Sequence, residues 1–379
     1  MSEYLPRLLD LRSRLEERSH FLLGPRQTGK STLVRHQLAE AVVYNLLDSR
    51  VFLELSQRPT RLREELDESG RVVVIDEIQK LPQLLDEVHL LIEERRLRFL
   101  LTGSSARKLR RGGVNLLGGR ARQLVLHPFV RRELPEFDLL RTLNFGLLPS
   151  IYLSSDPQAD LNAYAGLYLR EEVAAEGLAR NIPAFGRFLA VAAFCNGTML
   201  NHTAIANDAQ VPRTTVHEYF HILEDTLLAA TLPGWRRSKS RKPIVSSKFY
   251  FFDTGVVRQL RNQGEIRERS PAFGAAFETY LFHELRSYLD YTGGGQLHYW
   301  RSTSGFEVDF ILNDSTAVEV KGKETVSDRD LRGLRALREE GLLRHYLVVS
   351  CETRPRTVGG IRILPWTEFL DRLWDGEWA

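Results

Sequence analysis

Residues 24–31 constrain this chain more than any other stretch. Gly24-Pro25-Arg26-Gln27-Thr28-Gly29-Lys30-Ser31 satisfies the spacing Gly-x-x-x-x-Gly-Lys-Ser at every fixed position. The glycines let the backbone curl so that successive N–H groups point at one anion. Apolar Phe21-Leu22-Leu23 before the loop predicts a buried strand. Thr32-Leu33-Val34-Arg35-His36-Gln37-Leu38 after it predicts a helix, whose N-terminus favours negative charge. The candidate nucleotide-binding residues are Gly24, Pro25, Arg26, Gln27, Thr28, Gly29, Lys30, Ser31 and Thr32, and ATP is the expected cofactor. In such a loop Lys30 reaches the β- and γ-phosphates and the Ser31 hydroxyl faces Mg²⁺.

A second motif supplies the rest of the magnesium chemistry. Val72-Val73-Val74-Ile75-Asp76-Glu77 is an apolar strand that ends in two carboxylates. Asp76 is placed to hold Mg²⁺, largely through water, and Glu77 to polarise the attacking water as a general base. The next strand, Phe99-Leu100-Leu101-Thr102-Gly103-Ser104-Ser105, ends in small polar residues. Ser104 either orients water or the γ-phosphate, or simply caps the following helix. Gly118-Gly119-Arg120 offers Arg120 on a flexible turn, either as a finger toward a γ-phosphate in its own or a neighbouring subunit, or as a plain surface arginine.

Length and composition set the frame. A chain of 379 residues has room for two or three domains, each with its own core. A net charge of +3 points to no partner by itself, so local basic clusters carry that question. Cys195 and Cys351 stand apart, form no metal pattern and read as core thiols in a reducing compartment. No apolar run reaches membrane-spanning length, and the first residues lack a signal-peptide layout, so a cytoplasmic protein without a membrane partner is expected. Strands are expected at Phe21–Leu23, Val42–Leu46, Val72–Asp76, Phe99–Thr102 and Gln123–Leu126, alternating with amphipathic helices. From about 150 the pattern turns helical, as in Leu161–Leu169 and Phe185–Ala190; a hairpin is expected over about 226–253 and a last α/β segment from about 271. Breaks near 150 and 265 give expected domains 1–150, 151–265 and 266–379.

The middle of the chain has a helix-turn-helix layout. Thr203–Ala209 predicts a short helix, Gln210-Val211-Pro212 breaks it, and Arg213 starts a second helix. Leu227–Leu232 and Lys248–Phe252 then read as two strands of a wing. Between them Trp235-Arg236-Arg237-Ser238-Lys239-Ser240-Arg241-Lys242 carries no acidic residue. Arg236, Arg237, Lys239, Arg241 and Lys242 suit DNA phosphate contacts with little sequence preference, and Arg213, Thr214 and Thr215 are the expected recognition-helix contacts. The other reading is a protein-contact module, since Glu218, Glu224 and Asp225 acidify the second helix.

In the C-terminal part Glu278 lies on an amphipathic helix, Asp309 on the strand Gly305–Ile311, and Glu319 and Lys321 on the strand Ala317–Lys321. Residues two apart on a strand share a face, and the turn Asn313-Asp314-Ser315 makes the two strands a hairpin that brings Asp309 toward Glu319. Such carboxylates can hold Mg²⁺ or Mn²⁺, with Lys321 orienting water. Asp309 followed by Glu319-x-Lys321 resembles the PD-(D/E)xK nuclease fold, although Val308 stands where the name-giving proline belongs. That fold is kept either for cleavage, with Asp309, Glu319 and Lys321 as catalytic residues, or only for binding and packing.

The ensemble resembles a known family. Gly24–Ser31, Asp76-Glu77-Ile78-Gln79, Leu101-Thr102-Gly103-Ser104-Ser105 and Leu117-Gly118-Gly119-Arg120 look like the AAA-type ATPase domain found joined to a DUF4143 region. Phe249–Gly255, Tyr299-Trp300-Arg301-Ser302, Glu307-Val308-Asp309-Phe310 and Ile363-Leu364-Pro365-Trp366 extend the likeness over almost the whole chain. The resemblance implies an α/β chain. A P-loop AAA-type parallel sheet with helices on both faces, its fourth strand between the first and third, comes first. A helical and winged-helix domain and a smaller α/β nuclease-like domain follow. It also implies ATP hydrolysis and assembly into an oligomer. The resulting expectation is ATP turnover coupled to binding, remodelling or cutting of DNA, against two alternatives: a regulatory switch acting on protein partners, and a non-cleaving DNA clamp.

Overall fold

The computed structural model describes residues 4–66, 70–104, 119–168 and 181–378. Ser105, Leu117, Gly118 and Leu169 of the segments quoted above lie outside the described residues. The chain divides into two compact units, residues 1–129 with 225–228, and residues 130–224 with 229–379.

The first unit alternates helix and strand. Its elements are α1 (Leu11–Glu17), β1 (Ser19–Leu23), α2 (Lys30–Gln37), β2 (Val42–Asn45), α3 (Ser49–Gln57), α4 (Arg61–Glu65), β3 (Val73–Asp76), α5 (Leu84–Arg95), β4 (Phe99–Gly103) and β5 (Ala121–Val125). All neighbouring strands are parallel, in the order β2-β3-β4-β1-β5. The fourth strand therefore inserts between the first and third, as expected. Every expected strand forms, within two residues of the expected start. The uninterrupted apolar runs follow from burial on both sheet faces. On one face Phe21, Leu23, Val73, Ile75, Phe99 and Leu101 pack with Leu55, Leu62, Leu84, Val88 and Leu91 from α3, α4 and α5. The intervening Leu22, Val74 and Leu100 are fully buried on the other face. This topology puts every strand's C-terminal end, and the loops that leave it, along one edge of the sheet.

The second unit begins with helices α6 (Leu139–Phe145), α7 (Pro149–Tyr152), α8 (Pro157–Ala163) and α9 (Ile182–Phe194). Strand β6 (Thr198–Met199), α10 (His202–Ala209), α11 (Arg213–Asp225), β7 (Ala229–Leu232) and β8 (Lys248–Phe251) follow. Asn201 caps α10 by accepting from the Ala204 amide, and Gln210 ends it in the left-handed conformation, φ 53°. That ending, with Pro212 two residues on, sets the break before α11. Strands β6, β8 and β7 form an antiparallel sheet in that order. Edge-to-face contacts of Phe188 with Phe220 and of Phe220 with Phe249 join α9, α11 and β8 into one core.

After α12 (Thr254–Leu260) and the long α13 (Pro271–Thr292) come β9 (Leu297–Arg301), β10 (Glu307–Leu312), β11 (Thr316–Lys321), α14 (Arg332–Arg338), β12 (His345–Ser350), β13 (Arg356–Val358), β14 (Ile361–Pro365) and α15 (Trp366–Trp374). They build a mixed sheet, β13-β14-β12-β11-β10-β9. Positive φ at both Asn313 and Asp314 makes the tight turn of the expected β10–β11 hairpin. The β9–β10 register slips between Val308 and Ile311, a bulge that includes Asp309. Among the described residues no helix is long and apolar enough to cross a membrane.

Candidate functional site

The phosphate loop joins β1 to α2. Gly24 is required by packing, because a Cβ there would lie 2.4 Å from the Leu126 carbonyl oxygen. Gly29 caps α2 at φ 91°, with no side chain bonded to the first-turn amides. Those donors face outward as an anion site needs. Thr28 is buried, and its hydroxyl donates to the Pro25 carbonyl at 2.8 Å. The Lys30 ammonium folds back on the loop, 2.6 Å from the Gly24 carbonyl oxygen and 3.1 Å from that of Pro25. Of the remaining loop residues, Pro25 is buried, Arg26 and Thr32 are half-buried, and Gln27 is exposed with a left-handed backbone, φ 64°.

The magnesium-side residues meet at the same sheet edge. The Ser31 hydroxyl donates to Asp76 Oδ2 at 3.3 Å. Buried Thr102 donates its hydroxyl to Asp76 Oδ1, and Thr102 Oγ1 accepts the Glu77 amide at 3.2 Å. One hydroxyl on β4 thus positions both carboxylate residues. Glu77 sits at φ 61°, a conformation that costs a residue with a Cβ something and that clusters at functional sites. Gln79 donates to Glu77 Oε2 at 2.5 Å and reaches Ser104 Oγ at 3.5 Å. Ser104 is buried at the end of β4 and, among the described residues, is joined to Glu77 through this amide. The donor set fits a nucleotide with a hard cation: Ser31 and Asp76 would hold Mg²⁺, and Lys30 and the loop amides would hold phosphate.

Arg120 lies elsewhere. It precedes Ala121, which pairs with Ser19 at the start of β1, whereas the phosphate loop leaves β1 after Leu23. Four residues of strand, roughly 13 Å, intervene. Its guanidinium is engaged by Glu93 of α5. Within its own chain Arg120 is held away from the loop. A residue that the motifs did not single out is closer to the action. Arg7 donates to the Thr28 carbonyl at 2.8 Å and to the His127 and Pro128 carbonyls at 2.6 and 3.2 Å, clipping the loop to the segment after β5. Arg7 lies outside every motif; Gln79 and Thr102 lie inside the runs Asp76–Gln79 and Leu101–Ser105 that carry the family likeness, but the motifs give neither a role.

In the C-terminal sheet Asp309 and Glu319 do converge, on adjacent strands next to the Phe310–Val318 pair. Asp309 Oδ2 accepts the Val320 amide at 2.8 Å, and Glu319 Oε1 accepts from Lys321 at 2.6 Å. Glu319 Oε2 is buried without a hydrogen-bond partner. Burial, with the Asp309 charge next, pushes the Glu319 carboxyl up to about 8. Burial likewise raises Glu278 to about 7. Glu319 and Asp309 act oppositely on Lys321, whose ammonium they hold charged against the cost of burial. Three residues that the motif does not contain complete the cluster. Lys248 of β8 puts its ammonium 2.7 Å from Glu307, 3.5 Å from Glu278 and 3.8 Å from Asp309, and Tyr250 donates to Glu278 at 2.6 Å. Among the described residues no three His, Cys, Asp or Glu side chains are grouped to hold a metal ion. As arranged, the oxygens fit an ammonium rather than a divalent cation.

The basic stretch between β7 and β8 is partly self-neutralised. Arg237 pairs with Asp314 at 3.0 Å, and Arg241 with Glu339 and Glu340. The Glu340 side chain is fully covered, and its carboxylate accepts the Ser238 hydroxyl and the Lys239, Ser240 and Arg241 amides within 3.1 Å. Trp235 is buried in the C-terminal core. Arg236, Lys239 and Lys242 remain exposed, as do Arg213 and Thr214 at the start of α11, with Thr215 half-buried. The stretch is anchored along its length and does not form a projecting wing tip.

A glycine-rich loop with lysine and serine, an Asp–Glu pair two strands away and a polar strand between them define a P-loop ATPase of the AAA type. Residues 16–135 match the AAA domain family, residues 136–267 a domain of unknown function (DUF8612) and residues 273–369 a domain of unknown function (DUF4143). The chain thus joins an AAA ATPase domain to a DUF4143 domain. The matched stretches meet at 135/136 and leave 268–272 between the second and the third. No curated protein matches. Among solved structures, a signal transduction ATPase with numerous domains, a protein from Pyrococcus horikoshii with a tetratricopeptide repeat sensor, is 12% identical over 76% of this chain, with a TM-score of 0.23. This chain spans 48% of that protein's length.

Proposed function

We propose that this ATPase uses turnover at the β1–α2 loop to change its hold on DNA, and that it does so without cutting. The observation that carries the ATPase half is the Ser31–Asp76–Thr102–Glu77 chain of hydrogen bonds in front of the first turn of α2. Mg²⁺, when bound with nucleotide, would neutralise charge on the β- and γ-phosphates. The protein's own groups do the rest. Lys30 leaves the loop carbonyls for phosphate oxygens, and Glu77 orients the attacking water and takes its proton.

The DNA half rests on α10, the break and α11 followed by β7 and β8, which we read as a winged helix. Exposed Arg213 and Thr214, with Arg236, Lys239 and Lys242, supply phosphate contacts. A second reading, a switch that holds protein partners, is favoured by Arg237 and Arg241, which spend their charge on Asp314, Glu339 and Glu340. ATP hydrolysis measured with single-stranded, duplex and branched DNA at two salt concentrations separates the two. Salt-sensitive stimulation supports DNA coupling; a flat response to every DNA form refutes it and supports the switch. Arg120, turned away from its own loop, is either a finger across a subunit boundary or a surface arginine held by Glu93. In the first arrangement hydrolysis per chain rises with protein concentration and Arg120→Ala abolishes the rise; hydrolysis independent of concentration excludes it.

A further inference from the structure

The C-terminal cluster gathers Glu278, Glu307, Asp309 and Glu319 on α13, β10 and β11, the residues from which a nuclease-like fold would build a divalent-metal centre. Its contents argue otherwise. Lys248 arrives from a different part of the unit, the first residue of β8, and its side chain is 5% exposed. Its Nζ lies between carboxylates from two elements, with Glu307 Oε1 at 2.7 Å, Glu278 Oε1 at 3.5 Å and Asp309 Oδ1 at 3.8 Å. Tyr250, two residues on and therefore on the same strand face, gives its hydroxyl to the same Glu278 oxygen. The bulge in β10 aims Asp309 into this group.

The oxygens are already committed. Asp309 holds a backbone amide with one oxygen and faces Lys248 with the other. Glu307 is bridged by Lys248 and by Arg301 at 3.3 Å. Glu319 gives one oxygen to Lys321 and Glu278 uses its Oε1 for both Lys248 and Tyr250, so that Glu319 Oε2 and Glu278 Oε2 are the oxygens outside these contacts. Mg²⁺ and Mn²⁺ demand several oxygens at about 2.0–2.2 Å in near-octahedral array. Two such oxygens beside the buried Lys248 ammonium and the half-buried Lys321 ammonium do not supply that, and a doubly charged ion placed here would be repelled by both lysines. Four carboxylates gathered at one partly buried site are instead balanced by cations the chain carries itself.

We propose that the Lys248 ammonium is the resident cation of this cluster, and that the cluster is an ionic clasp fastening β8 to α13 and β10 rather than a divalent-metal centre. The clasp makes the junction between the DUF8612 and DUF4143 regions part of the cluster itself. It is independent of the ATPase reading. The test is Mn²⁺ binding followed by electron paramagnetic resonance on the nucleotide-free full chain carrying Lys30→Ala. With Lys248 intact, no Mn²⁺ should bind in an Asp309→Asn-sensitive manner up to millimolar concentration. Lys248→Met, which keeps the stem and removes the charge, should raise Mn²⁺ affinity at least tenfold, and adding Asp309→Asn should abolish the gain. Stoichiometric, Asp309-dependent binding with Lys248 in place overturns the proposal, and so does a folded Lys248→Met protein that gains nothing. If Lys248→Met does not fold, the measurement with Lys248 intact decides alone.

Discussion

Thr102→Val is the sharpest probe of the nucleotide site. The substitution keeps the shape of the side chain and deletes one hydroxyl, and the residue is fully buried, so no cavity or surface effect confuses the result. Two bonds go at once: the donor to Asp76 Oδ1 and the acceptor for the Glu77 amide. Leaving a buried polar group unpaired costs about 1–3 kcal/mol, so the midpoint of chemical denaturation of the ATPase unit should fall accordingly. The kinetic effect should be larger. Glu77 is held at φ 61°, a conformation worth about 1–3 kcal/mol of strain that its amide anchor helps to retain. Freed of the anchor, the carboxylate shifts, and a displacement of roughly 1 Å at a reacting group costs up to about 10²-fold in rate. Steady-state ATPase assays should therefore show kcat reduced by about 10- to 100-fold. KM for ATP should change only a few-fold, because Lys30 and the loop amides are untouched. Thr102→Ser, which restores the hydroxyl, should recover most of the rate. A Thr102→Val enzyme with kcat within twofold of the parent would refute the argument that this hydroxyl sets the two acidic residues.

Four other outcomes are expected. Glu77→Gln should bind ATP normally and hydrolyse it about 10²–10⁴-fold more slowly, whereas Lys30→Ala should lose binding and turnover together in nucleotide-binding and phosphate-release assays. Glu284 is fully buried, accepting from the Arg131 amide, Tyr280 and Trp374, and burial raises its carboxyl to about 7. Because the folded value exceeds the unfolded one, this group's contribution is full below about pH 4.5 and is lost as pH rises through about 7. Glu284→Gln should remove a few kcal/mol of that slope from denaturation curves measured between these values. Glu340→Ala removes the acceptor of a hydroxyl and three amides, two of them on exposed residues that water can reach, and should destabilise the second unit by about 1–3 kcal/mol in denaturant titrations while leaving ATPase activity intact.

The nucleotide site was legible because its chemistry is local. Gly24 to Ser31 and Asp76-Glu77 are short contiguous runs, and the backbone needs those residue types at those positions. The strand order was implied by the resemblance to the AAA-type domain, with the acidic pair Asp76-Glu77 on the third strand and the serines on the fourth. Long-range neutralisation was not legible. The stretch from Trp235 to Lys242 contains no acid, so it reads as a cationic surface; the carboxylates that bind it lie at 314, 339 and 340, on elements that reach it only in the folded chain. Lys248 opens a strand of aromatic residues, Phe249-Tyr250-Phe251, and a lysine at a strand's first position ordinarily marks a solvated end. Its burial depends on Glu278 and Glu307, 30 and 59 residues on. Glu307 was hidden by its neighbour Asp309, which the nuclease-like motif claims. Trp235 was the available hint, since a tryptophan inside a basic run needs somewhere to bury its ring.

The clip made by Arg7 bears on how this ATPase can be cut into pieces. Sequence similarity to the AAA domain family starts at residue 16, and a fragment begun there would keep every motif residue from Gly24 to Glu77. It would lose the guanidinium that ties the Thr28 carbonyl to those of His127 and Pro128. The rigidity of the phosphate loop is thus borrowed from a segment outside the conserved-looking frame, and domain limits drawn by similarity would deliver a complete motif on a loosened hinge.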